Sequence, residues 1–358
     1  MATVGATTEQ TAARRAPRLT SGDGVRVAVI VVFLLIVLFG LPPLLSTYWI
    51  DVLTAVAIYS VVALGLNVLM GRVGMVSLGQ IAVLALGAWI GARLLFATGL
   101  PFPIVLLLAG LLTMVLGTLI GLPALRLSGL YLALITLMLA GAITVVLTAT
   151  NFPNGGSGFK GYTDTLKGST AVRRPAIATT DLAYYRYTVI VAVVMFGLAL
   201  WHVRSKAGRA WAAIRQSEPA ALAAGVNITL YKLWAFALAS FMTGVAGALL
   251  AAQVNHLYTF QFKTSDSIAL LATVLMGGIY TLWGAIVAGA FIKLLPALLD
   301  NWGLPADLLT ILFGVGILQV LLTAPAGVAA QFPKDMKRLG GAIARLFRRG
   351  EPAREAAK

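Results

Sequence analysis

The chain contains no cysteine, so neither a disulfide nor thiolate chemistry operates within it. Charge is scarce as well: 11% of the 358 residues are charged and 59% are hydrophobic. A soluble domain carries about 25% charged residues, and the deficit marks a membrane protein. Acidic residues number 12 against 27 basic ones, and none of them lies in the middle of an apolar run; Asp51, Asp266, Asp300 and Asp307 all sit at edges. That scarcity argues against a secondary transporter with a carboxylate relay, because intramembrane ionisable groups are its usual mark. The histidines, His202 and His256, stand far apart without an accompanying carboxylate cluster and read as interfacial residues rather than metal ligands, so no metal site is expected. A nucleotide-binding G-x-x-x-x-G-K-[ST] loop is also missing. The stretch Gly155-Gly156-Ser157-Gly158-Phe159-Lys160 lacks its spacing and reads as a flexible loop. With no catalytic constellation, the chain reads as a conduit rather than an enzyme, driven by another chain or by an ion gradient.

What is present is apolar sequence in blocks. After a polar tail, 1–26, bearing Arg14, Arg15, Arg18 and Arg26, runs occur near 27–41, 52–70, 77–96, 103–122, 129–149, 187–203, 233–252, 267–281, 284–299 and 307–323. The first leads into Pro42-Pro43 with no small-x-small cleavage site and reads as an uncleaved span. A crossing helix needs about 20 residues; 267–281 and 284–299 fall short and suggest a bent or partly re-entrant pair. The expected fold is an all-α polytopic membrane protein of about ten spans (eight to eleven) with Gly-interrupted, broken helices. Its permease domain would occupy 27–325, followed by a basic tail, 326–358.

The net charge of +15 follows membrane topology rather than a nucleic-acid surface. With both termini and the 204–232 loop cytoplasmic, 19 Lys and Arg residues fall inside and 6 outside, five of those six in one long external segment, 150–186. Positive charge concentrates on the cytoplasmic side of membrane proteins, and long loops obey that rule weakly. Arg93 and Lys293 lie within runs, toward their outer ends, and read as snorkelling side chains. The basic tail reads as attracted to anionic lipid.

Glycine carries the remaining signal. Gly87/Gly91 and Gly117/Gly121 are small-xxx-small pairs suited to close helix packing. Two Met-Gly breaks interrupt the apolar sequence, Met70 to Gln80 and Met276 to Gly284. Paired interruptions in the two halves of a transporter point to broken helices around a midplane pathway, although two ordinary turns explain the same pattern. The polar and glycine residues placed on such a pathway are Asn67, Gly74, Ser77, Gln80, Gly277, Gly278 and Thr281. The longest polar interruption on the cytoplasmic side is Arg204 to Lys232, RSKAGRAWAAIRQSEPAALAAGVNITLYK. Within it Ser217 suits an N-cap, Pro219 a first helical turn and Gly225 a left-handed C-cap, which predicts a short Ala-rich helix over 219–225. Such a helix serves equally as an interfacial element or as a docking surface.

The motifs in combination resemble one family. Gly208-Arg209-Ala210, Ala213-Ile214-Arg215, Glu218 to Ala221, Gly225-Val226 and Tyr231-Lys232-Leu233 are similar to the cytoplasmic loop of LivM-type permease subunits of branched-chain amino-acid ABC importers. GRVGMVSLGQ, LPALRLSGLYLALITL, GGIYTLWGAIVAGAF and NFPNGGSGFKG resemble further segments of that family over most of 50–325, with Ala285 where the family has proline. The resemblance implies a bacterial inner-membrane permease with no cofactor of its own. ATP and Mg would be bound by two partner ATPase subunits, alongside a second, homologous permease and an extracytoplasmic solute-binding protein. It also implies that Gly208, Arg209, Arg215, Glu218, Ala220, Ala221 and Gly225 engage the ATPases. Branched-chain amino acids are the expected solutes; urea, amides or a sugar on the same architecture, or a stand-alone channel or secondary transporter, are the alternatives.

The missing cysteines make topology directly testable. A single cysteine in place of Ser217 is expected to react with a membrane-impermeant maleimide in inside-out vesicles and to stay unlabelled in intact cells.

Overall fold

The computed structural model describes residues 34–124, 129–150, 174–254 and 256–303, together with isolated positions at 32, 172 and between 311 and 329. The polar N-terminal tail, most of the 150–186 segment, most of the expected final span and the basic C-terminal tail lie outside the described residues. The chain forms two units, up to Leu45 and from Ser46 onward. Of the first, a π-helical turn at Ile36–Gly40 and a 3-10 turn at Pro42–Leu44 are described. Proline lacks an N–H and clashes with the preceding turn, which accounts for regular helix ending here.

All regular structure among the described residues of the second unit is helical. The helices are α1 (Thr47–Asn67), α2 (Gln80–Thr98), α3 (Phe102–Ala124), α4 (Gly129–Thr150), α5 (Asp181–Arg204), α6 (Lys206–Gln216), α7 (Glu218–Ala223), α8 (Ile228–Val254), α9 (Thr264–Gly277) and α10 (Leu282–Asn301). A π-helical segment, Val68–Val73, prolongs α1. Among the described residues, seven stretches are long and apolar enough to cross a bilayer: 47–73, 80–98, 102–119, 131–150, 181–204, 228–254 and 282–301. The run at 267–281 is not among them. Its helix, α9, has 14 residues, or about 21 Å at 1.5 Å per residue, against a hydrocarbon thickness of about 30 Å. Helices α1, α5 and α8 start five or six residues before their apolar runs because polar first-turn and capping residues lie outside those runs, whereas α2 starts three residues inside its run. At α5, Thr180 accepts the Ala183 N–H at 3.3 Å, which satisfies one of the unpaired amides of a helix start.

Helix α8 is the core. Of its apolar window 94% is buried, against 28% for α4. The reason is size: α8 presents Ser240, Gly244, Gly247 and Ala248 to its neighbours, so their backbones come close. A Cβ on Gly87 would lie 2.6 Å from Gly244 Cα, and one on Gly91 2.6 Å from Ala248 Cβ. Gly117 abuts Ser240, and Gly121 abuts the Phe236 ring. Both small-residue pairs expected from the sequence thus pack α2 and α3 against the same helix. Apolar burial between helices gains nothing over lipid, so close van der Waals contact carries this association. Tyr184 of α5 adds a hydrogen bond from its hydroxyl to the Leu249 carbonyl at 2.5 Å. Helix α10 lies along α1 in the same way, with Gly289 against Ser60.

The two intramembrane cations do not stand as isolated snorkelling groups. Arg93 is buried. The Lys293 ammonium sits 4.3 Å from the centre of the Tyr59 ring, an electrostatic attraction that replaces part of its hydration.

Enlarging a residue at these contacts forces the backbones apart, at a cost of about 1–3 kcal/mol or more. Gly247→Val is expected to lower the melting temperature of the detergent-solubilised protein by several degrees. Gly197→Ala, where an added Cβ meets nothing within 4 Å, is expected to leave it unchanged.

Candidate functional site: two helix breaks and a polar loop

The two breaks meet. Asn67, fully buried at the end of α1, donates its side-chain amide to the Thr281 carbonyl at 2.9 Å and to the Gly278 carbonyl at 3.3 Å. Where α9 stops, the backbone turns through Gly278 at φ +112°, so carbonyls that would have continued a helical ladder lack their usual partners. Buried carbonyls need internal donors to satisfy them. Thr281 then caps α10 by accepting the Gly284 N–H at 3.2 Å. On the other break the π segment widens α1, and Gly71 lies directly against the Ile279 carbonyl; a Cβ there would overlap it. Single π turns recur at functional sites in helices. Gly74 closes the segment at φ +87°, a conformation in which a side chain costs roughly 1–2 kcal/mol. Gly327, also at positive φ, packs on Gly278 and the Leu275 carbonyl.

The pathway residues expected from the sequence fall into two groups. Asn67, Gly74, Gly277, Gly278 and Thr281 belong to the paired breaks, Gly277 packing on Gly284 and Ala288. Ser77 and Gln80 are buried one turn away at the start of α2. They line an enclosed gap of about 20 Å³ with Thr136 of α4 and Ser240 of α8. That is room for roughly one water molecule, far short of an amino acid. Gln80 donates to the Thr243 hydroxyl, and the Leu78 N–H donates to the Thr136 hydroxyl at 2.9 Å. Thr136, Ser240 and Thr243 escaped the sequence reading because isolated Ser and Thr in apolar runs carry no periodic signal. Each becomes legible only through the helix it faces.

The 204–232 loop holds two helices rather than one. Helix α6 is amphipathic, burying Ala210, Trp211 and Ile214. Ser205 caps it by accepting the Ala207 N–H at 3.2 Å. That serine and the apolar spacing were available in the sequence beneath its basic residues. Trp211 is fully buried and donates its indole N–H to the Tyr231 carbonyl at 2.9 Å. Helix α7 starts at Ser217, whose hydroxyl accepts the Ala220 N–H at 3.4 Å, has Pro219 in its first turn and is followed by Gly225 at φ +79°. The capping expected from the sequence is present, with the helix spanning 218–223 instead of 219–225. Lys232 donates to Glu218 at 2.7 Å, tying α7 to α8.

The residues that the resemblance associates with ATPases divide accordingly. Gly208 packs on the Val203 carbonyl, Glu218 pairs with Lys232, and Ala221 is 2% exposed. Arg209, Ala220 and Gly225 face outward, as do Leu222, Ala223 and Ala224. Beside them an open groove of about 550 Å³ runs between Glu218, Leu222, Gly225, Asn227 and Lys232. Arg215 reaches back to the breaks, donating to the Gly71 carbonyl at 2.8 Å.

A family model described as "Branched-chain amino acid transport system / permease component" matches residues 48–321. The chain belongs to that family. The high-affinity branched-chain amino acid transport system permease protein LivM of Salmonella typhimurium is 31% identical over 292 residues, covering 76% of this chain and 68% of that protein. LivM of Escherichia coli strain K12 is 29% identical over 339 residues, covering 90% and 79%. No solved structure matches the chain. The matched family segment contains both breaks and the loop.

Replacing Asn67 by Leu removes the side-chain donor from the Thr281 carbonyl and one of the donors to the Gly278 carbonyl, which keeps the Thr281 N–H; a buried group left unpaired costs about 1–3 kcal/mol. The variant is expected to insert, to melt several degrees lower and to lose uptake. Asn67→Asp, which cannot donate when ionised, is expected to be at least as damaging.

Proposed function

We propose that this chain is a membrane-spanning permease subunit of an ATP-driven importer whose solutes are branched-chain amino acids. It works in a bacterial inner membrane with a second, homologous permease, two ATPase subunits and an extracytoplasmic binding protein. The observation that carries this reading is the loop 204–232. It is clamped to the transmembrane helices through Trp211 and Lys232, while its short helix α7 turns a surface outward on which only Leu222 is large. A helix meant to lie on lipid needs large apolar residues along one face; among the outward residues of α7 only Leu222 is large. A partner's cleft can instead approach the backbone at Ala220, Ala223 and Ala224 and use the adjacent groove. The permeases named LivM are described as components of high-affinity branched-chain amino acid transport systems, which supports the solute. Gaps lined by hydroxyls and amides with few fixed charges suit a net-neutral zwitterion. The closed gap at Ser77 and Gln80 corresponds to a conformation in which the route is shut, so transport requires the breaks to move. We take both termini to be cytoplasmic and the spans to number about ten, the remainder falling at 27–41, around α9 and at 307–323.

Ala220→Glu and Gly225→Val are expected to insert normally, to lose the ATPase subunits from a detergent pull-down and to abolish ATP-dependent uptake. Ala221 is unsuitable for this test because it is buried within the chain. Wild-type recovery of ATPases with both variants would place docking elsewhere. Uptake by the purified chain alone in liposomes would favour a stand-alone channel or secondary transporter.

A further inference from the structure

We infer that Arg215 is a positioning residue that links the cytoplasmic loop to both helix breaks, and that it does not itself dock an ATPase. This rests on the reading of the loop given above and assigns its moving contact. Arg215 lies in the last turn of α6, two residues before the Ser217 cap of α7, so any displacement of the outward face of α7 reaches it through one turn of backbone. Its guanidinium makes two contacts with different breaks. It donates to the carbonyl of Gly71 in the π segment at 2.8 Å, and it lies 4.4 Å from the centre of the Tyr280 ring, between Gly278 and the start of α10. Its aliphatic stem runs beside Gly74, where an added Cβ would lie 3.4 Å from Arg215 Cγ. One side chain therefore touches three positions of the paired breaks.

The chemistry requires arginine in particular. A planar guanidinium can stack on an aromatic face while its edge donates in plane, and an ammonium cannot make both contacts with the same geometry. Gly71 is tied further, since its backbone abuts Ile279. Pulling Arg215 away thus removes a donor from one break and a cation from the other at the same moment. Asn67 binds the second break from the membrane side, so Arg215 is the contact that the loop can withdraw while the breaks stay paired through Asn67.

The test uses the assembled importer, reconstituted in liposomes with its binding protein. It compares Arg215→Gln, Tyr280→Leu and Tyr280→Phe. Arg215→Gln and Tyr280→Leu are expected to retain both ATPases on purification and to hydrolyse ATP, while moving roughly tenfold less solute per ATP, the scale of one charged hydrogen bond or ring contact. Tyr280→Phe keeps the ring and is expected to retain near wild-type coupling. Tyr280 lies outside the loop, so its failure cannot be ascribed to docking. Loss of ATPases from the Arg215→Gln complex would overturn the inference by making Arg215 a docking residue. Wild-type solute per ATP in both Arg215→Gln and Tyr280→Leu would overturn it as well, as would equal damage from Tyr280→Phe and Tyr280→Leu. Absence of ATPases from the wild-type preparation would instead refute the reading of the loop on which it rests.

Discussion

A buried backbone carbonyl needs a donor, and this requirement governs the two helix breaks. Ending α9 at Gly278 and reopening the chain at Thr281 leaves carbonyls that no helix satisfies. The Asn67 amide supplies two hydrogen bonds from a different part of the sequence, more than two hundred residues away. The breaks are therefore not independent turns. Each is stable because the other supplies a donor or a surface, and the glycines at 71, 74 and 278 allow the backbones the approach that this requires. The interruption in one half of the chain needs the interruption in the other.

Much of this was legible in the sequence, and the reasons differ by element. The breaks announced themselves because Met-Gly followed by polar residues stands out against apolar runs, and the spacing of Gly87/Gly91 marked a close helix contact, although its partners Gly244 and Ala248 emerge only in the fold. The cap at Ser217 and the left-handed residue at Gly225 were likewise fixed by local chemistry. Helix α6 was obscured by its charges: Lys206, Arg209 and Arg215 read as a basic loop, while the Ala210, Trp211 and Ile214 face supplied the opposing signal. The burial of Ala221 was not legible because an alanine-rich helix has no hydrophobic contrast between its faces. The run at 267–281 was legible as too short for a straight crossing, and the helix it forms starts at Thr264 and stops at the Gly277 break.

The loop also shows how a single sequence motif can hold two kinds of residue. Glu218, Arg215 and Ala221 stand within seven positions of one another, yet one is paired across to α8, one reaches into the membrane domain and one is packed inside. Their neighbours Ala220, Leu222 and Ala223 face outward. A recurring motif in such a loop records the shape of the loop as well as the surface it offers, and assigning every member to a partner misses the residues that hold the platform in place.

The contacts along α8 have a further consequence for how such a chain can diverge. Gly87 faces Gly244 and Gly91 faces Ala248, so at these sites nearly every substitution adds volume and almost none removes it. Change there is one-directional, and an enlargement on one helix has no smaller residue opposite to absorb it. Helices α2, α3 and α8 must drift together by shifting whole axes, or not at all, whereas the outward faces of α3 and α4 are free to exchange one large apolar residue for another. Two relatives of this chain should therefore differ most in side-chain identity where their backbones superpose least tightly constrained, and agree most in spacing where they have the least side chain to compare.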